Sequence, residues 1–104
     1  MRSNSTQIVV GGPADLRTVN DIQTELKRAF AGATTVRLAI AAAEDVDISF
    51  VQLIESARRF AASESKSIAL SAAASGALRS ILERGGFLAT AADRGFWLGE
   101  TGEA

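Results

Sequence analysis

Short apolar runs alternate along this chain with longer stretches in which apolar residues recur every three or four positions. The runs are IVV at 8–10, VRLAIA at 36–41 and SIALS at 67–71, and each is typical of a β-strand. The stretches between them predict helices with one apolar face, made of Val19, Ile22, Leu26, Ala29 and Phe30 in the first and of Phe50, Leu53, Ile54, Ala57, Phe60 and Ala61 in the second. The alternation predicts an α/β fold, with a small sheet covered by helices mainly on one face.

Capping residues and glycines predict where these helices begin and end. Thr18 is suited to the N-cap of the first helix, with Asp21 in the capping-box position, and Gly32 ends that helix. A third helix carries Leu78, Ile81 and Leu82 and stops at Gly85-Gly86. We expect Phe87-Leu88 to pack on the core and Phe96-Trp97-Leu98 to form a last strand at a sheet edge. The whole of 1–104 is predicted to be one domain, with loose tails at 1–5 and 100–104.

Composition excludes several classes of function. The chain has no Cys and no His, so disulfides, the usual zinc sites and imidazole-based triads are ruled out. Its 11 basic and 12 acidic residues are scattered and give a net charge of −1, which makes nucleic acid an unsuitable partner. Phosphate-binding glycine loops, a signal peptide and a long apolar span are also missing from the sequence. We therefore expect a cytoplasmic protein without membrane insertion, cofactor or catalytic residues.

An acidic turn, EDVD at 44–47, follows the second predicted strand. Clustered carboxylates at Glu44, Asp45 and Asp47 suit Mg²⁺ or Ca²⁺, which would also be the basis of a small metal-dependent enzyme. The alternative interpretation, which we favour, is a solvated loop without a metal.

Ser49 stands where this acidic turn becomes a helix. As N-cap it would place Gln52 in an S-x-x-Q capping box, with Ile48 and Leu53 as the hydrophobic staple. A structural role therefore accounts for the serine by itself. A phosphorylation site is also compatible with this position, because a helix N-terminus tolerates a phosphate. The added charge of about −1.5 to −2 would lie beside the acidic turn and would disturb a docked partner.

The order of these segments resembles a STAS domain, the module of sulphate transporters and anti-sigma factor antagonists, over roughly residues 8–90. The resemblance lies in VRLAIA, the acidic turn, DISFVQLIESARRFAASESKSIALSA, DLRTVNDIQTELKRAF and the closing GALRSILERGGF. Asp47 and Ser49 match the family's loop aspartate and the serine that a partner kinase phosphorylates. Ile48 and Phe50 depart from the small residues usual there.

The resemblance implies a small mixed β-sheet with helices on one face, and binding rather than catalysis. It implies a protein partner that is an anti-sigma factor resembling a serine kinase, with Ser49 as the phosphorylated residue. The expected partner-binding residues are Asp15, Thr18, Asp47, Ser49, Phe50 and Gln52. The alternative is a STAS subunit that does not switch, within a lipid transporter or a chemotaxis-type signalling complex.

Overall fold

The structure, a computed structural model, describes residues 5–11, 13–40 and 46–99. Within them three strands and four helices follow one another as β-α-β-α-β-α-α. The elements are β1 (Ser5–Val10), α1 (Val19–Gly32), β2 (Thr35–Ile40), α2 (Ile48–Ser63), β3 (Ser67–Leu70), α3 (Gly76–Gly85) and α4 (Ala91–Leu98). The predicted α/β class is confirmed.

The strands form one sheet in the order β1-β2-β3, and both pairings are parallel. The expected mixed sheet is therefore wrong for the described strands. Each pair is joined by a helix, because parallel neighbours need a crossover, and right-handed crossovers in one direction put α1 and α2 on the same face. Ile8 and Leu38 face these helices and are buried, whereas Gln7 and Arg37 on the opposite face are exposed. The prediction of helices mainly on one face is thus confirmed.

The core lies between the sheet and the helix layer, and it is built from the residues that the apolar spacing picked out. Ile22, Leu26 and Phe30 of α1 are buried, and Phe50 and Ile54 of α2 are completely buried. Phe87 and Leu88 also pack against this core, as predicted. They return to it because Gly86 takes the left-handed conformation, with φ of 80°, and ends α3 abruptly.

The predicted edge strand at Phe96-Trp97-Leu98 is wrong, because these residues belong to helix α4. Thr90 caps that helix by accepting the N–H of Asp93 at 3.0 Å. Trp97 is fully buried, and its indole Nε1–H donates to Glu55 Oε2 of α2 at 2.9 Å. As part of a helix packed against α2, the indole is buried and its N–H has a hydrogen-bond acceptor in Glu55.

A charged cluster on the outer side of this contact joins α4 to α2. Arg58 of α2 donates to Glu55 Oε2 at 3.0 Å and to Asp93 Oδ1 at 3.2 Å. Its guanidinium also lies 4.5 Å from the centre of the Phe96 ring. Glu55 thus accepts from both Trp97 and Arg58, so α4 is held by a shared carboxylate as well as by apolar packing.

The ends of the chain differ partly from the prediction. Ser5 begins β1, so the expected loose tail does not extend to this residue. The other tail residues, 1–4 and 100–104, lie outside the described residues, as do Gly12 and residues 41–45. Across the described ranges, no helix combines the length and apolar character that crossing a bilayer requires.

Candidate functional site

Two loops meet at the end of the sheet where β1 and β2 finish. The first is the turn at 13–18, which leads into α1, and the second leads into α2. Ala14 and Val46 form an isolated parallel bridge, and the N–H of Asp47 donates to the carbonyl of Ala14 at 3.2 Å. Ala14 is completely buried. The bridge continues the β1-β2 pairing beyond the sheet, so the two loops are held against each other.

Asp47 connects these two loops through its carboxylate. Its Oδ1 accepts the N–H of Ser49 at 2.9 Å and also the hydroxyl of Ser49, while its Oδ2 accepts the N–H of Leu16 at 3.0 Å. The Ser49 hydroxyl is the main cause that lowers the pKa of Asp47 below its ordinary value of 3.8; partial burial opposes this, and the Leu16 N–H adds to it. The carboxylate is therefore a charged acceptor that holds the turn to the start of α2.

The capping prediction for Ser49 is wrong. Asp47 is the N-cap of α2, the helix begins at Ile48, and Ser49 is its second residue. The predicted S-x-x-Q box, which needs Ser49 as the cap, therefore does not form. Asp47 occupies this position, and its two carboxylate oxygens reach both Ser49 of the helix and Leu16 of the other loop. Ser49 is half-buried, and its hydroxyl donates to the cap.

The turn at 13–18 is held by its own side chains. Asp15 accepts the backbone N–H of Arg17 at 2.9 Å and pairs with its guanidinium at 2.7 Å, and this pairing is the main cause that lowers the pKa of Asp15. Thr18 Oγ1 accepts the N–H of Asp15 at 3.1 Å and lies 3.0 Å from the Pro13 carbonyl. Thr18 does occupy the N-cap position of α1, but its side chain makes no capping bond to the helix. Asp15 and Thr18 thus shape the turn.

Phe50 does not belong to the predicted binding surface. Its side chain is completely buried in the core, so it neither contacts a partner nor obstructs access to Ser49. Gln52, one turn along α2, is exposed. The bulky residue at position 50 therefore fills the interior of the domain.

Two exposed apolar side chains flank Asp47, and sequence reasoning did not assign either to the surface. Leu16 is 72% exposed at the tip of the turn, and Ile48 is 44% exposed at the first position of α2. Ile48 also lies beside the end of α3, since a Cβ built on Gly85 would come within 3.8 Å of its Cδ1. A large apolar residue between polar ones, as in D-L-R-T, was the available signal. We call Leu16, Asp47, Ile48, Ser49 and Gln52 the Asp47 surface.

The acidic turn provides no described metal site. Glu44 and Asp45 lie outside the described residues, so neither the Mg²⁺ or Ca²⁺ site nor the solvated loop that we favoured over it is tested at those two positions. In the part of the chain that the structure covers, no group of three acidic, His or Cys side chains is arranged to hold an ion. The Asp47 carboxylate is instead used by backbone and hydroxyl donors.

Comparison with models of known protein families gives a match. A family model described as "Mlab, STAS domain" matches residues 1–89, which include everything from β1 to α3 and exclude α4. No curated protein matches the chain. No solved structure matches it either.

Proposed function

The chain belongs to the STAS domain family, and on that premise we propose that it is a non-catalytic regulatory module that binds a kinase-type protein partner through the Asp47 surface. A STAS domain is in general a regulatory or binding module. The proposal adds the place of binding, the kind of partner and a switch. The partner is an ATPase domain of the histidine-kinase type, as in anti-sigma factors, and the switch is phosphorylation of Ser49.

The single observation that supports this proposal is the exposure of Leu16, whose N–H donates to Asp47, and of Ile48, which directly follows Asp47. An interface has an apolar centre with polar groups around it, and exposed large apolar side chains are what such a centre is made of. Here Leu16 and Ile48 supply the apolar contacts, and Gln52 supplies an exposed polar group on the next turn. Two loops linked by Asp47 hold these groups in place, so little order has to be gained on binding.

Phosphorylation of Ser49 would act on the same contacts. A phosphate on this hydroxyl removes the donor that Asp47 Oδ1 now accepts and places like charge beside the carboxylate. The N-terminus of α2 stabilises the phosphate, so the fold survives. The repulsion weakens the bond from Leu16 N–H to Asp47 Oδ2, which holds the apolar tip of the turn. The partner therefore meets a displaced Leu16 and an additional charge.

Affinity measurements against the co-purified partner test this proposal. The full chain is used as bait in its native cells, the ATPase-domain protein that co-purifies is identified, and its affinity is measured by calorimetry. Leu16→Ser is expected to weaken binding at least about tenfold, as for the loss of an interface anchor. Ser49→Asp is expected to do the same, and mass spectrometry should find phosphate on Ser49 in protein from cells.

A matched control separates the switch from a general effect of added charge. Ser75 is the N-cap of α3, so Ser75→Asp puts the same charge at the start of another helix and should leave affinity unchanged. If Ser49→Asp binds as tightly as wild type, the switch is wrong. If Leu16→Ser also binds normally, the Asp47 surface is not the binding site.

The second candidate function is a STAS subunit that does not switch, within a transporter or a chemotaxis-type signalling complex. The observation in its favour is that the Ser49 hydroxyl already donates to the helix cap, which accounts for the serine without a kinase. In this case Ser49→Ala lowers stability modestly and the complex still assembles. A complex that dissociates in Ser49→Ala while the isolated chain stays folded would contradict it.

A further inference from the structure

A second apolar surface runs along the outside of the helix layer, between α1 and α2. Its floor is made of Leu26 and Phe30 from α1 and of Leu53 and Ala57 from α2. Phe60 lies at its rim, 47% exposed, although its ring packs edge-on against Phe30 with 5.5 Å between the ring centres. We call this surface the α1–α2 groove. It is distinct from the Asp47 surface, because it lies along the length of the helices.

The residues that line the groove carry positive charge without any acid. Lys27 of α1 and Lys66, which follows α2, both line it, and the remaining polar lining residues are Gln23 and Ser56. The Lys66 ammonium donates to the carbonyl of Phe30 in the last turn of α1, and this leaves it further donors. The lysines therefore favour an occupant with negative charge at the end of the groove near Phe60.

The charge also decides between possible occupants. A second copy of the chain docked groove to groove would bring two more lysines and no acid to the contact, so its charge would not complement that of Lys27 and Lys66. The dimensions favour a helix: the α1 residues from Gln23 to Ala31 span about 12 Å at 1.5 Å per residue, or roughly two turns. A partner helix contacts such a groove through side chains at i, i+4 and i+7.

The stripe of α2 that lines the groove leads back to its N-terminus. Ser49, Leu53, Ser56 and Phe60 recur at helical spacing on one side of α2. An occupant of the groove would therefore approach the start of α2, without needing Ser49 to be phosphorylated or contacted.

We propose that the α1–α2 groove binds one amphipathic helix of a protein partner, apolar where it meets Leu53, Ala57 and Phe60 and acidic where it passes Lys27 and Lys66. The domain then has two contact surfaces, the groove along α1 and α2 and the Asp47 surface at the start of α2, and none of the groove's lining residues belongs to the Asp47 surface. This proposal is independent of the proposed function, since no residue is shared between the two surfaces.

A synthetic helix tests the proposal with the full-length chain. The probe is a stapled peptide with leucines at i, i+4 and i+7 and a pair of glutamates in its last turn; a second peptide has lysines in place of the glutamates. Binding is measured by calorimetry and mapped by NMR amide shifts. We expect the acidic peptide to shift groove residues, and the basic peptide to bind at least about tenfold more weakly.

Variants of the chain locate the site. Lys27→Glu should weaken the acidic peptide and strengthen the basic one. Arg28→Glu makes the same charge change one residue along α1, on the side away from the groove, and should leave both affinities unchanged. Phe60→Ser should weaken the acidic peptide about tenfold, with circular dichroism used to verify the fold.

Three results would overturn the proposal. One is an acidic peptide that leaves the groove amides unshifted, and another is a Lys27→Glu chain with the peptide preference of wild type. The third is a different occupant: a dimer in analytical ultracentrifugation that Phe60→Ser abolishes, or a single-chain fatty carboxylate that displaces the peptide and binds more tightly.

Discussion

Replacement of Trp97 by alanine is expected to destabilise the domain more than any other single truncation in α4. The indole is completely buried and donates to Glu55 Oε2 at 2.9 Å, so the change removes both core packing and a hydrogen bond to a charged group. Large-to-small substitution of a buried tryptophan costs about 3–5 kcal/mol. Domains of this size have a free energy of unfolding of roughly 5–15 kcal/mol, so a large part of the stability is lost.

Trp97→Phe divides this loss into its two parts. It keeps an aromatic ring in the core and removes the indole N–H, while Glu55 still accepts from Arg58 at 3.0 Å. The loss of a hydrogen bond to a charged acceptor costs about 1.5–3 kcal/mol, so Trp97→Phe should fall between wild type and Trp97→Ala. The same reasoning predicts that a chain shortened to residues 1–89, the part that the family model matches, loses at least as much stability as Trp97→Ala, because it lacks the indole and the rest of α4.

Urea unfolding followed by far-UV circular dichroism measures these differences. Fluorescence is unsuitable because Trp97 is the only tryptophan in the chain. In a thermal scan, Trp97→Ala should lower the midpoint by at least about 12 °C. A loss of less than about 1 kcal/mol for Trp97→Ala, or a shortened chain that unfolds cooperatively at the wild-type midpoint, would show that α4 does not complete the core.

Three further predictions concern the caps and the close contact at the end of α3. Asp47→Ala should lower the free energy of unfolding by about 1–2 kcal/mol in urea titrations, because α2 loses its N-cap and its hydrogen bond to the first loop. Ser49→Ala should lower it by less than about 1 kcal/mol. Equal losses for the two variants would contradict the assignment of Asp47 as the cap. The pKa of Asp47 is lowered, so its stabilising effect is complete above its ordinary value of 3.8 and disappears as the pH falls through the lowered pKa. The stability difference between wild type and Asp47→Asn should accordingly shrink as the pH falls from above 3.8 to below the lowered pKa, and a difference that stays constant on acidification would refute the charge effect. Gly85→Ala should lower the free energy of unfolding by about 1–2 kcal/mol, because its Cβ would lie 2.7 Å from the Phe87 ring. The control Gly32→Ala, whose Cβ would have no atom within 4 Å, should change stability by less than about 0.5 kcal/mol. Similar values for the two variants would show that the Phe87 ring moves aside at little cost.

Local spacing was enough to predict the α/β class and most of the core. Phe50 and Ile54 lie four positions apart on α2 and are both completely buried, as their pattern indicates. Spacing of this kind depends only on helix geometry, so no knowledge of distant contacts was needed.

The errors came where distant residues decide between local alternatives. Asp47 and Ser49 are both good N-caps, and the choice depends on the N–H of Leu16, 31 residues away. The three apolar residues ending in Leu98 were too short a run to separate helix from strand, and their environment depends on Glu55, 42 residues from Trp97. The exposure of Leu16 likewise depends on how two loops meet, which no local pattern records.

The parallel order β1-β2-β3 has a consequence for the speed of folding. Among the three described strands there is no hairpin to start the sheet: Ser5 pairs with Thr35, and Thr35 lies 32 residues from Ser67 across the next pairing. Each pair of strands must close a loop of about 30 residues, which contains a complete helix, before the hydrogen bonds between the strands stabilise the sheet. Folding should therefore be limited by chain closure around β2, and it should run in the slow range typical of domains with high contact order, not on the microsecond scale of helical bundles.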